Sequence, residues 1–141
     1  MTKIDKSTSI KKVSTLLQVI SPEPRLQILL AVGEGEACVC HLEASLGYRQ
    51  AYISQHLMAL REAGLLDTRR DGRYIFYRLS KPEIMEMVEL AARLAGLEIS
   101  AVTARASHSR STCDCPTCST RVATQATAKE TSFAGSSRIA R

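Results

Sequence analysis

Residues 37–80 read ACVCHLEASLGYRQAYISQHLMALREAGLLDTRRDGRYIFYRLS, and the order of patterns within them decides the fold. Val39, Leu42 and Leu46 keep helical spacing until Gly47 stops the run. A second helical series follows with Ile53, Leu57 and Leu60, then Ala63 before Gly64. Residues at i, i+4 and i+7 share one helix face, which turns Ala51, Tyr52, Gln55, Met58 and Ala59 largely outward and puts Ser54 and His56 on the flanks. An outer face of Gln, Ser, Tyr and His in place of Lys and Glu suits a groove of DNA, where Gln pairs with an adenine edge. Then come two strand-like runs, Leu65–Arg70 and Tyr74–Leu79, around Asp71-Gly72, a strong hairpin turn signal because both residues tolerate positive φ. Arg69, Arg70, Arg73 and Arg78 decorate this hairpin. Two short helices followed at once by a basic hairpin is the pattern of a winged helix, whose wing lies on phosphates or in the minor groove.

Working outward, Ile10, Val13, Leu16, Leu17 and Ile20 form an amphipathic series, broken by Ser21-Pro22-Glu23-Pro24. The prolines suit the first turn of the next helix, a mostly apolar one from Arg25 to Leu30 that ends at Gly33. Gly33-Glu34-Gly35-Glu36 reads as a loop leading to Cys38. After the hairpin, Lys81-Pro82 begins a last helix. Its stripe of Ile84, Met87, Val88, Ala91 and Ala95 is widened by Met85, Leu90, Leu94 and Leu97. A terminal helix this apolar predicts two buried faces, one on the core and one on a second copy. Together with the helix over residues 9–20 it predicts a symmetric homodimer. From Ser100 onward Ser, Thr, Ala and Arg dominate and periodicity fades, as in a disordered tail. The expected organisation is a winged domain over residues 1–99 and a flexible, Cys-containing tail over 100–141. The class is mainly α with a small β-hairpin.

The 141 residues carry a formal net charge of +5, and its distribution matters more than its size. Residues 1–48 are balanced, 49–81 carry a net +4, 82–100 a net −3 and the tail a net +4. Within the folded part the excess falls on the outward-facing helix and the hairpin, as in a nucleic-acid binder. No apolar run approaches the roughly 20 residues of a membrane span. The first twelve residues, MTKIDKSTSIKK, lack the apolar segment of a secretory signal. The expectation is a cytoplasmic protein without a membrane partner. In that compartment its five cysteines are thiols or metal ligands rather than disulfides.

Those cysteines carry the second theme. Cys38 and Cys40 flank one residue, and Cys113, Cys115 and Cys118 fall within six residues of the tail. Thiolates are soft ligands that favour Zn, Cd, Pb, Cu(I) or trivalent arsenic over Mg or Ca. In a regular helix Cys38 and Cys40 would point about 200° apart, so one ion reaches both only where the backbone is extended or the first turn opens. A helix start meets that condition and also favours thiolate over thiol. Two thiolates do not complete a site. With no Cys before Cys38, the tail is the source of the rest, from either protomer. An enzyme is not indicated, since there is no Ser-His-Asp arrangement and no phosphate-binding glycine loop. A metal store built on the tail would leave the basic hairpin unused.

Cys38-Val39-Cys40-His41-Leu42, Ser54-Gln55-His56-Leu57, Leu60-Arg61-Glu62-Ala63-Gly64-Leu65, and Gly72-Arg73-Tyr74 through Tyr77-Arg78-Leu79 together resemble the ArsR/SmtB family of metal-sensing repressors, over roughly residues 10–97. The resemblance implies a homodimer that binds operator DNA when ion-free and leaves it when a thiophilic ion (Cd, Pb, Zn or trivalent As) binds. By the same resemblance Arg49, Gln50, Tyr52, Ser54, Gln55 and His56 would meet the major groove or nearby phosphates. Arg69, Arg70 and Arg73 would act from the wing, and Cys38, Cys40, Cys113, Cys115 and Cys118 would supply the metal ligands. The chain departs from the family in places. Glu43 stands where arsenite sensors often carry a third Cys, and His41 where Asp is usual. Arg49 and Ala51 replace the usual Ser cap and Pro. Residues 82–97 lack the His of last-helix metal sites, and residues 49–64 lack Cys. A thiol redox switch on the same fold is the alternative.

Overall fold

A computed structural model describes residues 6–98, Ser100, Cys115 and Pro116. The chain runs α1 (Lys6–Ile20), α2 (Glu23–Val32), β1 (Glu36–Cys38), α3 (Val39–Leu46), α4 (Gln50–Glu62), β2 (Leu66–Asp71), β3 (Tyr74–Leu79) and α5 (Glu83–Leu94). This is the winged helix-turn-helix that the patterning predicted, with one addition. The hairpin is part of a three-stranded antiparallel sheet of order β1-β3-β2. Residues 36–38, read as loop and helix start, pair with β3 as Glu36↔Arg78, Ala37↔Tyr77 and Cys38↔Phe76. Three residues are too few to show an alternation, and their partner lies about forty positions downstream, so no local signal marks them.

Helix boundaries follow the punctuation. Pro24 sits in the first turn of α2, where a missing N–H costs nothing. Gly47 ends α3 in the left-handed region at φ 72°, a conformation that glycine adopts without steric cost. Arg49 caps α4 with no side-chain hydrogen bond, as its replacement of Ser suggested. The hairpin differs by one residue from expectation. Asp71 pairs with Tyr74, so the two-residue loop is Gly72-Arg73, with Gly72 at φ 57°.

The core lies between α2, α3, α4 and the inner face of the sheet. Ile28, Leu29, Leu42, Ile53, Leu57 and Leu60 are fully buried there, with Ile20, Leu65, Leu66 and Ile84 at its margin. Each such aliphatic side chain contributes about 1.5–3 kcal/mol by leaving water. In α5 the buried stripe is Ile84, Val88 and Ala92, with Met87 packed against the core. Ala91 and Ala95, expected in that stripe, are exposed instead. The remaining apolar residues split from it as anticipated: Leu90, Leu94 and Leu97 are exposed, as are Ile10, Val13 and Leu17 of α1. Among the described residues no helix is long and apolar enough to cross a membrane.

Candidate thiol site and nucleic-acid interface

The sheet has two unlike faces, because successive side chains on a strand alternate. Ala37, Leu66, Tyr77 and Leu79 face the main core. Cys38 and Phe76 face the other way and form a separate buried cluster with Cys115, against which Cys40 and Tyr74 pack. Cys115 therefore lies against the outer face of the wing sheet, where it is 1% exposed.

Cys38 holds three positions at once. It is the last residue of β1, the cross-strand partner of Phe76 and the N-cap of α3, with extended backbone at φ −87° and ψ 167°. Its Sγ accepts a hydrogen bond from the His41 N–H at 3.4 Å, which satisfies one of the orphan donors of the first helical turn. Because the N-cap is not helical, the 200° divergence of a regular helix does not arise. The Cys38 and Cys40 Sγ atoms stand 2.7 Å apart. Cys115 completes a group whose three sulfurs all lie within 4.8 Å of one another. Sulfurs bound to one ion at about 2.3 Å stand about 3.8 Å apart, between the closest pair here and the outer limit of the cluster. A soft donor set with two of its three thiols buried fits a thiophilic ion. The third thiol that Glu43 fails to supply comes from far along the chain. Cys113 and Cys118 lie outside the described residues, as does most of the tail expected over 100–141. The His41 ring is not one of the three grouped donors; its Nε2 lies 3.4 Å from the Ser45 hydroxyl.

On α4, Arg49, Gln50, Tyr52 and Gln55 are exposed and Ser54 is half-buried, an outward face as predicted. The Tyr52 ring is flanked by Tyr48 at 5.1 Å and by His56 at 4.5 Å. His56 is half-buried: its Nδ1 accepts from Arg25 Nε at 3.4 Å, and its Nε2 is buried without a hydrogen-bond partner among the described residues. Burial, with the Arg25 charge beside it, holds its pKa below the usual histidine value. Arg25 also donates to the Val19 carbonyl at 2.9 Å and so links α1 to α4, a role with no mark in the sequence pattern.

In the wing, Arg70 and Arg73 are exposed as expected. Arg70 donates to the Gly72 carbonyl at 3.1 Å, and the Arg73 guanidinium lies 5.3 Å from the Tyr74 ring centre. Arg69 is exposed too, but it is held by neighbouring carboxylates. Its Nε and one terminal nitrogen grip the Glu36 carboxylate at 2.8–3.3 Å, and the other terminal nitrogen lies 3.5 Å from Asp71. Its guanidinium covers the Phe76 ring, 4.8 Å from the centre. With its side chain 45% exposed, the guanidinium is engaged by two carboxylates at the surface of the wing. The Arg69 hydrogen bond holds the Glu36 carboxyl below the usual carboxylate range.

Comparison with known proteins decides the family. The description "Bacterial regulatory protein, arsR family" matches residues 22–68. Over 83 residues the chain is 41% identical to the transcriptional activator HlyU of Vibrio cholerae, a match covering 59% of this chain and 77% of that protein.

The chain belongs to the ArsR family.

This is a family of regulators and not of enzymes, in line with the lack of any catalytic constellation in the sequence. The reduced form of Vibrio cholerae HlyU superposes with a TM-score of 0.57 at 39% identity, over 62% of this chain and 93% of that one. The arsenical resistance operon repressor of Escherichia coli is 47% identical over 66 residues, 46% of this chain and 56% of that protein. A homodimeric winged helix-turn-helix DNA-binding domain from Mycobacterium bovis, a possible ArsR-family regulator, aligns at 26% identity and TM-score 0.59 over 64% of this chain and 84% of that one.

Proposed function

We propose that this ArsR-family chain is a cytoplasmic transcriptional repressor that binds operator DNA as an ion-free homodimer and releases it when a thiophilic ion binds Cys38, Cys40 and Cys115. The observation that carries the reading is the convergence of these three sulfurs within 4.8 Å at the start of the first helix of the helix-turn-helix. Three thiolates and no fourth ligand among the described residues favour a three-coordinate ion, trivalent arsenic first. A four-thiolate Cd, Pb or Zn site would recruit Cys113 or Cys118. The likeness to an arsenical resistance repressor agrees with that order. For DNA, Gln50, Tyr52, Ser54 and Gln55 would read the major groove, Arg49 a phosphate, and Arg69, Arg70 and Arg73 the backbone beside the wing.

The ion must bind the DNA-free conformation more tightly than the DNA-bound one. A hundredfold loss of operator affinity requires about 2.7 kcal/mol of coupling, small beside the roughly 10–16 kcal/mol that a structural zinc–thiolate site provides. Geometry therefore limits the response more than energy does.

The test is a gel shift of the full chain on its own promoter under reducing conditions, with and without arsenite and Cd(II), alongside thiolate-to-metal ultraviolet absorption. Ion binding with at least tenfold weaker DNA retention is expected, and Cys38→Ser should keep DNA binding while losing the response. Ion binding that leaves retention unchanged would sink the reading. A second reading is favoured by the 2.7 Å approach of Cys38 and Cys40 and by the likeness to reduced HlyU. In it hydrogen peroxide takes two electrons and two protons from a thiol pair, leaving a disulfide and two waters, and the oxidised protein releases DNA. Release by peroxide with no response to either ion would select it.

A further inference from the structure

Viewed across the outer face of the sheet, Cys38, Phe76 and Arg69 form one row, since Cys38 pairs with Phe76 and Phe76 with Arg69. Glu36 is two residues before Cys38 on the same strand, so it lies on the same face, and it reaches over the central strand to hold Arg69 in a two-point grip. Phe76 is the shared floor: its ring packs with Cys38 and Cys115 and carries the Arg69 guanidinium. The thiol site and a wing cation are thus joined through one buried ring and one carboxylate.

We propose that Glu36 is a positioning residue that turns ion occupancy into loss of a phosphate contact by the wing. An ion that fixes Cys38, Cys40 and Cys115 in this gathered arrangement also fixes the end of β1. That keeps Glu36 across Arg69 and Arg69 folded down on Phe76, where its donors face carboxylates. Without the ion, the end of β1 is freer to shift, Glu36 relaxes its grip, and Arg69 turns to the backbone of bound DNA. The ion and the DNA phosphate compete for one guanidinium in each protomer. The strand pairing carries the signal straight to the wing, alongside any change in the packing of α3 on α4. The inference rests on the thiol-site reading above.

The salt dependence of DNA binding tests it, because each phosphate neutralised adds about 0.9 to the slope of log affinity against log salt. The full chain is titrated onto promoter DNA at several salt concentrations, reduced, with and without arsenite. In the wild type, loading should flatten the slope by about 2, one Arg69 from each protomer. Glu36→Gln should show the same thiolate-to-metal absorption as the wild type but no change of slope on loading. Arg69→Gln should have the flatter slope with or without the ion. A slope that is the same with and without ion in a wild type that binds the ion and releases DNA overturns this inference and leaves the sensor reading standing. So does a Glu36→Gln protein whose slope flattens as the wild type's does. Absence of thiolate-to-metal absorption overturns both.

Discussion

His56 shows how a single side chain departs from its helical position. Spacing sets it on the flank of the outward face of α4, yet the ring turns in to meet Arg25 and Tyr52. Burial and the neighbouring Arg25 charge disfavour its protonated form in the fold. The unfolded chain therefore takes the proton first. Stability from this source is intact above the ordinary histidine pKa, about 6.5, and is lost as pH falls through it toward the lowered folded value. His56→Gln should flatten the dependence of the urea midpoint on pH between about 5 and 7.5, and an unchanged dependence would assign that slope elsewhere. Cys38 shows the converse: spacing places it at a helix start, and the fold has it there as the extended N-cap of α3, its Sγ beside that of Cys40.

At the scale of the element, α4 separates stability from recognition. Ile53 is fully buried among α2, α3 and α4, so Ile53→Ala should cost about 2–5 kcal/mol in denaturant unfolding. Gln55, one turn face away, is exposed. Gln55→Ala should leave stability within about 0.5 kcal/mol while weakening promoter binding by about 1–3 kcal/mol if it pairs with a base. Equal losses in both measurements would show that the helix face had been misassigned. The helices were readable because a period of 3.6 repeats over eight to fifteen residues. β1 was not, being three residues long and defined by its partner strand. With β1 unread, the outer face of the wing sheet, the Glu36–Arg69 pair and the seat for Cys115 were out of reach.

At the scale of the whole molecule, a second apolar face is left exposed beside the core. Ile10, Val13 and Leu17 on α1, Leu90 and Leu94 on α5 and Leu97 just after it are each more than half exposed, more than a lone domain of this size needs to leave in water. We propose a second copy of the chain as the cover. Val13→Glu combined with Leu94→Glu should give a folded monomer by light scattering. Its promoter affinity should fall at least tenfold, because one protomer can occupy only one half-site. A wild type that is monomeric at micromolar concentration would remove dimerisation from the account.

From its residues alone this chain determined the winged helix-turn-helix, the helix that faces outward with Gln50, Tyr52 and Gln55, and the stock of thiols. Each of these is written in periodicity, punctuation or composition, which are local. Only the tertiary structure decided which thiols meet, that His56 and Arg69 are already engaged, and that the thiol cluster rests on the wing sheet. Those are contacts between residues some thirty to seventy-five positions apart, and no local pattern encodes which distant side chain will fill a given space.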